Sequence, residues 1–217
     1  MAPEKHRKSL FIFDLDGTLV DAYRAIEESL NFTRRQLGYG KISYRTVKRS
    51  VGKGDFLFIK KFFKPQDVKK ALRIYRSHHK DSLIKYARRI KFSLPLLKQL
   101  KEKNKRVSVV SNRPLVFTEL LLRKLKLNRY IDSVICPQKI EQIKPNPYML
   151  KMTLRKFNIA PKEAVYIGDM AIDLEAAKRA KIDGVFVMGG SGSREDVKKY
   201  RGVKTASSLK DILKMYG

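Results

Sequence analysis

The segment LFIFDLDGTLVD, residues 10–21, constrains the fold of this chain more than any other feature. Its apolar part, Leu10–Leu15, is rich in Leu, Ile and Phe, which is typical of a strand buried on both faces of a sheet. Two carboxylates, Asp14 and Asp16, interrupt this run, and Gly17 follows them directly. Because a buried carboxylate needs a partner or a cation, we predict that the strand ends in a polar site.

Four further short apolar segments are predicted to be strands of the same kind: Val107–Val110, Ser133–Cys136, Ala164–Ile167 and Gly184–Val187. Stretches with apolar residues at helical spacing lie between the later ones, as in Ala171–Ala180. Strands and helices that alternate in this way predict an α/β fold with a doubly wound, Rossmann-like parallel sheet.

The alternation is broken once, between the first strand and the second. About ninety residues separate Leu15 from Val107, which is far more than a crossover connection needs. The intervening apolar residues recur at helical spacing, which predicts an inserted α-helical cap domain. We predict a core domain of residues 1–22 and 92–217 and a cap domain of residues 23–91, in which basic residues greatly outnumber acidic ones.

Polar side chains follow the predicted strands. Asp14, Asp16, Ser111, Asn112 and Asp169 come at or directly after strand ends, Lys144 lies in the loop after the third strand, and Asp173 lies in the first turn of the helix after the fourth. The carboxyl ends of parallel strands share one edge of the sheet, where ligands bind in such folds. Converging carboxylates repel each other unless a cation lies between them, and Mg²⁺ prefers a few carboxylates together with water and phosphate oxygens. A lysine and a hydroxyl at the same edge would bind a phosphate. The set therefore indicates phosphoryl transfer.

Four segments, DLDGTLVD, VVSN, KPNP and GDMAIDLEAAKRA, resemble in order the four motifs of the haloacid dehalogenase (HAD) superfamily. The closest likeness is to its phosphatase branch with a helical cap after the first motif, the branch of phosphoglycolate phosphatases and β-phosphoglucomutases. GGSGSRED near the C-terminus resembles the loop after the fifth strand in this family, so the resemblance spans nearly the whole chain.

The resemblance implies a role for each catalytic motif residue. Asp14 matches the nucleophile that forms an aspartyl-phosphate, and Asp16 matches the general acid that protonates the leaving oxygen and then activates water. Ser111 matches the residue that binds the transferring phosphoryl group. Lys144 matches the lysine that neutralises the nucleophile and the phosphate.

The resemblance also implies a Mg²⁺ cofactor held by Asp14, Asp169 and the backbone carbonyl of Asp16. Asp173 matches a residue that orients the metal-bound waters or Lys144. Gly17, which permits a sharp exit from the strand, is expected beside the substrate.

Four further residues are expected to bind the substrate. Thr18 and Asn112 belong to the matching motifs, whereas Arg49 and Lys53 are candidates because they lie in the basic cap. We expect the cap to favour a substrate with a second negative group.

Some positions depart from the family pattern or match no motif. Arg113 stands where lysine is common. His6, His78 and His79 have no partner motif, and the last two are expected to be solvent-exposed or cap-packing residues without a role. The single cysteine, Cys136, is expected to be a buried structural thiol.

The net charge of +28 attracts anions, although the Lys and Arg residues are scattered and form no single tail. The predicted function is a cytoplasmic, Mg²⁺-dependent phosphatase of a small phosphorylated metabolite, phosphoglycolate-like, acting as a monomer or homodimer without a membrane partner. A phosphomutase, which would use the same residues but return the phosphoryl group to a sugar phosphate, and a pyrophosphatase are the alternatives among enzymes. Outside enzymes, the charge is compatible with a nucleic-acid-binding protein, but no aromatic-basic motif supports that alternative.

Overall fold

The computed structural model describes residues 8–200 and 202–216. Its main feature is a six-stranded parallel sheet with the strand order β5-β4-β1-β6-β7-β8. The strands are β1 (Leu10–Phe13), β4 (Arg106–Val110), β5 (Ser133–Ile135), β6 (Ala164–Gly168), β7 (Asp183–Val187) and β8 (Lys204–Ala206). The predicted α/β fold with a doubly wound parallel sheet is therefore confirmed.

Helices cover both faces of the sheet. They are α5 (Ser93–Glu102), α6 (Leu115–Lys124), α7 (Tyr148–Phe157), α8 (Ala171–Ala180), α9 (Arg194–Lys198) and α10 (Leu209–Tyr216). Alternate residues of β1 point to opposite faces, as the pleat requires. Phe11 and Phe13 pack with the apolar residues of α5, α6 and α10, whereas Leu10 and Ile12 pack with those of α7 and α8. This two-sided burial explains why the first strand is apolar at every position.

A helical segment lies between β1 and β4 in the chain. It consists of α1 (Tyr23–Gln36), α2 (Tyr44–Ser50), α3 (Gly54–Lys60) and α4 (Val68–Tyr86). Its apolar side chains form a cluster of their own, which includes Leu30, Val47, Ile59 and Ala71. The division into a core and a cap at residues 23–91 stays a prediction, but this separate cluster supports it.

A two-stranded antiparallel ribbon joins the ends of the helical segment. It pairs β2 (Val20–Asp21) with β3 (Arg88–Arg89), just before α1 and just after α4. The ribbon was not predicted because each strand has only two residues. Strand β8 was also missed, because the sequence Lys-Thr-Ala carries no apolar run. Among the described residues, no helix is long and apolar enough to cross a membrane.

Candidate active site

Asp14 and Lys144 form the centre of a buried cluster at the carboxyl edge of the sheet. Asp14 follows β1 directly, and its Oδ1 lies 2.5 Å from Lys144 Nζ. Lys144 Nζ also donates to Asp173 Oδ1 at 2.8 Å. Lys144 comes from the loop between β5 and α7, and Asp173 lies in the first turn of α8. The structure thus brings together three residues that the motifs place far apart in the chain.

Tyr166 of β6 belongs to the same cluster, although the motifs did not indicate it. Its hydroxyl oxygen accepts a hydrogen bond from Lys144 Nζ at 2.8 Å and lies 3.1 Å from Asp173 Oδ1. Burial opposes the charge of Lys144, but Asp14 and Asp173 outweigh it and raise the pKa of the ammonium well above its usual value. Lys144 is therefore a fixed cation at neutral pH.

Asp169 directly follows β6 and is completely buried. Its Oδ2 accepts hydrogen bonds from the backbone N–H of Ser191 at 2.7 Å and from the hydroxyl of Tyr23 at 3.3 Å. Its Oδ1 accepts from the Thr18 hydroxyl at 3.3 Å. Burial, together with the nearby Asp173 carboxylate, raises the pKa of Asp169 to about 6. Thr18 therefore donates a hydrogen bond to the Asp169 carboxylate. Its contact with the substrate stays a prediction.

Glycine is required at two places around Asp169. A Cβ built on Gly17, which has a φ of +89°, would lie 2.4 Å from Asp169 Oδ2. A Cβ on Gly190 would lie 2.0 Å from the same atom. The strand exit and the loop after β7 can approach this carboxylate only because both positions lack a side chain.

Three buried carboxylates, Asp14, Asp169 and Asp173, have oxygens that all lie within 4.8 Å of one another. Burial raises the pKa of Asp14 well above its usual value; Lys144 opposes this shift, whereas Asp173 and Asp169 add to it. A hard divalent cation bound by these oxygens would remove the repulsion. The donor set therefore fits Mg²⁺, and it includes Asp173, for which the motifs implied only an orienting role.

Ser111 and Asn112 follow β4 and line the cavity beside Asp14. The Ser111 hydroxyl accepts from the backbone N–H of Arg113 at 3.2 Å. The Asn112 side-chain amide accepts from the backbone N–H of Lys144 at 2.8 Å and donates to the carbonyl of Gly52 at 2.6 Å. Asn112 therefore connects the Lys144 loop to the turn between α2 and α3.

Asp16 does not join the carboxylate cluster through its side chain. Its two oxygens accept hydrogen bonds from Nη2 and Nε of Arg113, each at 2.8 Å. The remaining terminal nitrogen of Arg113, Nη1, lies 2.7 Å from Nε2 of His79 in α4. No role was predicted for His79, yet its side chain is only 1% exposed and contacts Arg113, the residue that holds Asp16.

The cavity in front of Asp14 is lined largely by apolar side chains of the helical segment and the core: Ile26, Val51, Phe58, Phe117, Met170 and Ile172. Arg49 and Lys53 are exposed and are not among the lining residues. Their role in substrate binding stays a prediction that this geometry does not support.

Three other residues named from the sequence, His78, Cys136 and His6, lie away from this cavity or outside the described residues. His78 stacks on Phe32, with ring centroids 4.0 Å apart. The Cys136 thiol lies 3.4 Å from the Thr118 hydroxyl, and burial raises its pKa to about 11, so it is protonated at neutral pH. His6 lies outside the described residues.

The fold and the site together define a Rossmann-like α/β enzyme with a helical insert at the carboxyl edge of its sheet. The sequence model of the haloacid dehalogenase-like hydrolase family matches residues 11–187. The chain therefore belongs to the haloacid dehalogenase-like hydrolase family, and the family resemblance read from its motifs is confirmed.

Several curated relatives of the chain are named phosphoglycolate phosphatase. The chain is 29% identical over 171 residues to a phosphoglycolate phosphatase of Aquifex aeolicus, with 79% of this chain and 80% of that protein covered. It is 27% identical over 203 residues to a phosphoglycolate phosphatase of Colwellia psychrerythraea, with 89% and 90% covered.

Solved structures share the fold along the whole chain. A predicted phosphoglycolate phosphatase from Haemophilus somnus 129PT superposes with a TM-score of 0.91 at 21% identity, and 100% of both chains is covered. CbbY from Rhodobacter sphaeroides, solved in complex with phosphate, superposes with a TM-score of 0.82 at 20% identity, covering 94% of this chain and 96% of that one.

Proposed function

We propose that this chain is a Mg²⁺-dependent phosphatase that hydrolyses a small phosphomonoester through an aspartyl-phosphate on Asp14. The observation that carries the proposal is the buried contact of Asp14 with Lys144, beside Asp169 and Asp173. A carboxylate held against a fixed cation at the edge of a cavity can approach a phosphate dianion that it would otherwise repel. The phosphatase names of the curated relatives support the same activity.

The chemistry consists of two displacements at phosphorus. A carboxylate oxygen of Asp14 forms a bond to phosphorus while the bond from phosphorus to the ester oxygen breaks, and Asp16 gives a proton to the departing oxygen. Asp16 then takes a proton from a water molecule, whose oxygen attacks phosphorus and releases inorganic phosphate and free Asp14. Ser111 donates to a phosphoryl oxygen, and Lys144 balances the negative charge that builds up near Asp14.

We propose that Asp14, Asp169 and the Asp16 carbonyl hold Mg²⁺, with Asp173 close enough to join them or to orient its waters. The ion would neutralise charge on the phosphoryl group. The ion would also stabilise the three buried carboxylates, because Lys144, which contacts Asp14 and Asp173, balances a single negative charge.

The substrate is proposed to be a small phosphorylated metabolite, with phosphoglycolate as the first candidate because of the relatives' names. A monomer or homodimer acting in the cytoplasm fits this proposal.

A phosphate-release screen over a panel of phosphorylated metabolites tests the proposal. The wild-type enzyme with Mg²⁺ is expected to release phosphate from at least one phosphomonoester, and Asp14→Asn is expected to release none. Product formed without free phosphate would instead indicate a phosphomutase. Equal turnover by Asp14→Asn would overturn the proposal.

A further inference from the structure

A line of buried polar contacts connects the helical segment to the sheet edge. Ser29 Oγ of α1 lies 3.0 Å from His79 Nδ1, and His79 Nε2 lies 2.7 Å from Arg113 Nη1. Arg113 in turn holds both oxygens of Asp16. Ser29, His79 and Arg113 are all buried.

We propose that His79 is a positioning residue that acts through Arg113 to orient Asp16 for protonation of the leaving group. This inference rests on the proposed function, because it concerns the general acid of that reaction. It assigns a task to a histidine that lies about 60 residues along the chain from Asp16, on a helix outside the sheet.

Arg113 links His79 to Asp16. Its planar guanidinium can donate five hydrogen bonds in fixed directions, and two parallel ones already reach Asp16. The orientation of the plane about the Asp16 contact is then set by the third bond, from Nη1 to His79. Without an acceptor there, a buried N–H would be unpaired, and Arg113 would turn or shift to satisfy it.

His79 is well suited to accept this bond. Burial and the Arg113 charge lower the pKa of its imidazole well below the usual value, so the ring is neutral. With Nδ1–H donated to Ser29 Oγ, the Nε2 atom is left as an acceptor facing Arg113. Tyr75 stacks on the ring at 4.7 Å between centroids, and Phe117 of α6 meets it edge-on at 5.2 Å. These contacts fix the plane of the ring.

The consequence is a link between docking of α4 and the orientation of Asp16. The bidentate contact reaches Asp16 from a core loop, but its direction depends on a side chain of the helical segment. When α4 packs as observed, Arg113 bonds to His79 and holds the Asp16 carboxylate in one orientation. A displaced α4 would leave Arg113 without its third partner, and the misplaced acid would protonate the leaving oxygen less efficiently.

The test compares two leaving groups, because a misplaced Asp16 should slow only the departure of a leaving group that needs a proton. We expect His79→Leu to lower kcat/KM by about 10- to 100-fold for an alkyl phosphomonoester taken from the phosphate-release panel. The same variant should lower kcat/KM for p-nitrophenyl phosphate by less than about 3-fold, since p-nitrophenolate departs without a proton. The ratio kcat/KM covers substrate binding and formation of the aspartyl-phosphate but not the later attack of water, so the comparison of the two leaving groups reports on the acid.

Two histidine variants serve as matched controls. His79→Gln keeps an oxygen that can accept from Arg113 and should restore most of the alkyl phosphate activity. His78→Gln changes the neighbouring histidine, which contacts Phe32, Ser82 and Ser29 but not Arg113, and should keep the wild-type ratio between the two substrates.

Arg113→Lys gives an independent test should His79→Leu fold poorly. A lysine keeps the charge beside Asp16 but cannot span both Asp16 and His79, so the same selective loss is expected. An equal loss on both substrates, or no loss on either, would overturn the positioning role while leaving the phosphatase function intact. A wild-type enzyme that releases phosphate from no ester would overturn the proposed function and this inference together.

Discussion

The ammonium group of Lys144 lies 2.8 Å from Asp173 Oδ1, and both side chains are 2% exposed. This buried ion pair fixes the lysine in front of Asp14. Replacing Asp173 by Asn keeps the size of the side chain but removes its charge, so Lys144 would be held less firmly. We expect Asp173→Asn to lower kcat by about 10- to 100-fold, in the range seen when groups that support a catalytic residue are lost. Steady-state kinetics with an unchanged far-UV circular dichroism spectrum would check this, and wild-type kcat would contradict it.

Tyr166 is expected to matter for stability. Its buried hydroxyl contacts Lys144, Asp173 and the carbonyl of Val110. Tyr166→Phe leaves these groups without that partner and should lower the free energy of unfolding by about 1–3 kcal/mol. Urea denaturation measures the change. Tyr148→Phe, at a side chain that is 43% exposed, is the matched control and should change little. Equal values for the two variants would show that the Tyr166 contacts contribute nothing.

Binding of Mg²⁺ can be followed without activity. A cation that binds the folded carboxylate cluster raises the melting temperature through mass action. We expect millimolar Mg²⁺ to raise the Tm of the wild type and to have a much smaller effect on Asp169→Asn. Glu102→Gln, which changes an exposed carboxylate in α5, should respond like the wild type. A Tm that is insensitive to Mg²⁺ in all three proteins would contradict the proposed binding of Mg²⁺ by the carboxylate cluster.

The buried His79 makes the fold sensitive to acid. The folded imidazole has a pKa well below the ordinary 6.5, so as the pH falls below 6.5 the unfolded chain binds a proton that the folded chain does not. The contribution of His79 to stability is therefore complete above pH 6.5 and is lost progressively below it. Relative to His79→Gln, the free energy of unfolding of the wild type should fall by up to about 1.4 kcal/mol for each further pH unit.

Urea denaturation of the wild type and His79→Gln at pH values between about 5 and 7.5 measures this difference. Parallel pH dependences for the two proteins would show that His79 binds protons equally in the folded and unfolded states.

The residues of the active-site cluster were predictable from sequence where they lie at the ends of strands. Asp14 and Asp169 occupy such positions, and an apolar strand followed by a polar residue is a local pattern. Lys144 lies in the loop after β5 and was indicated by the KPNP motif. The bounds of the strands were also close, because β1, β4 and β6 are apolar and buried at nearly every position. The two-residue ribbon strands and β8 carry too little apolar character to be detected.

The partners of these residues were not predictable. Tyr166 reads as one more apolar position of β6, and its hydroxyl contact to Lys144 spans 22 positions. The contact of His79 with Arg113 spans 34 positions, and that of Arg113 with Asp16 spans 97. The His79 contact depends on how α4 packs against the sheet edge, and the other two depend on how distant strands and loops meet there. No short pattern encodes that packing.

The central claim, a covalent phosphoryl intermediate on Asp14, can be measured directly. The Mg²⁺-loaded enzyme would be mixed with a phosphomonoester that it hydrolyses, quenched in acid within the first turnover, and digested for mass spectrometry. We predict that the wild-type peptide containing Asp14 gains the mass of one phosphoryl group, and that the corresponding peptide of Asp14→Asn gains none. Turnover with no phosphorylated peptide at any quench time, or with the label on another residue, would contradict it.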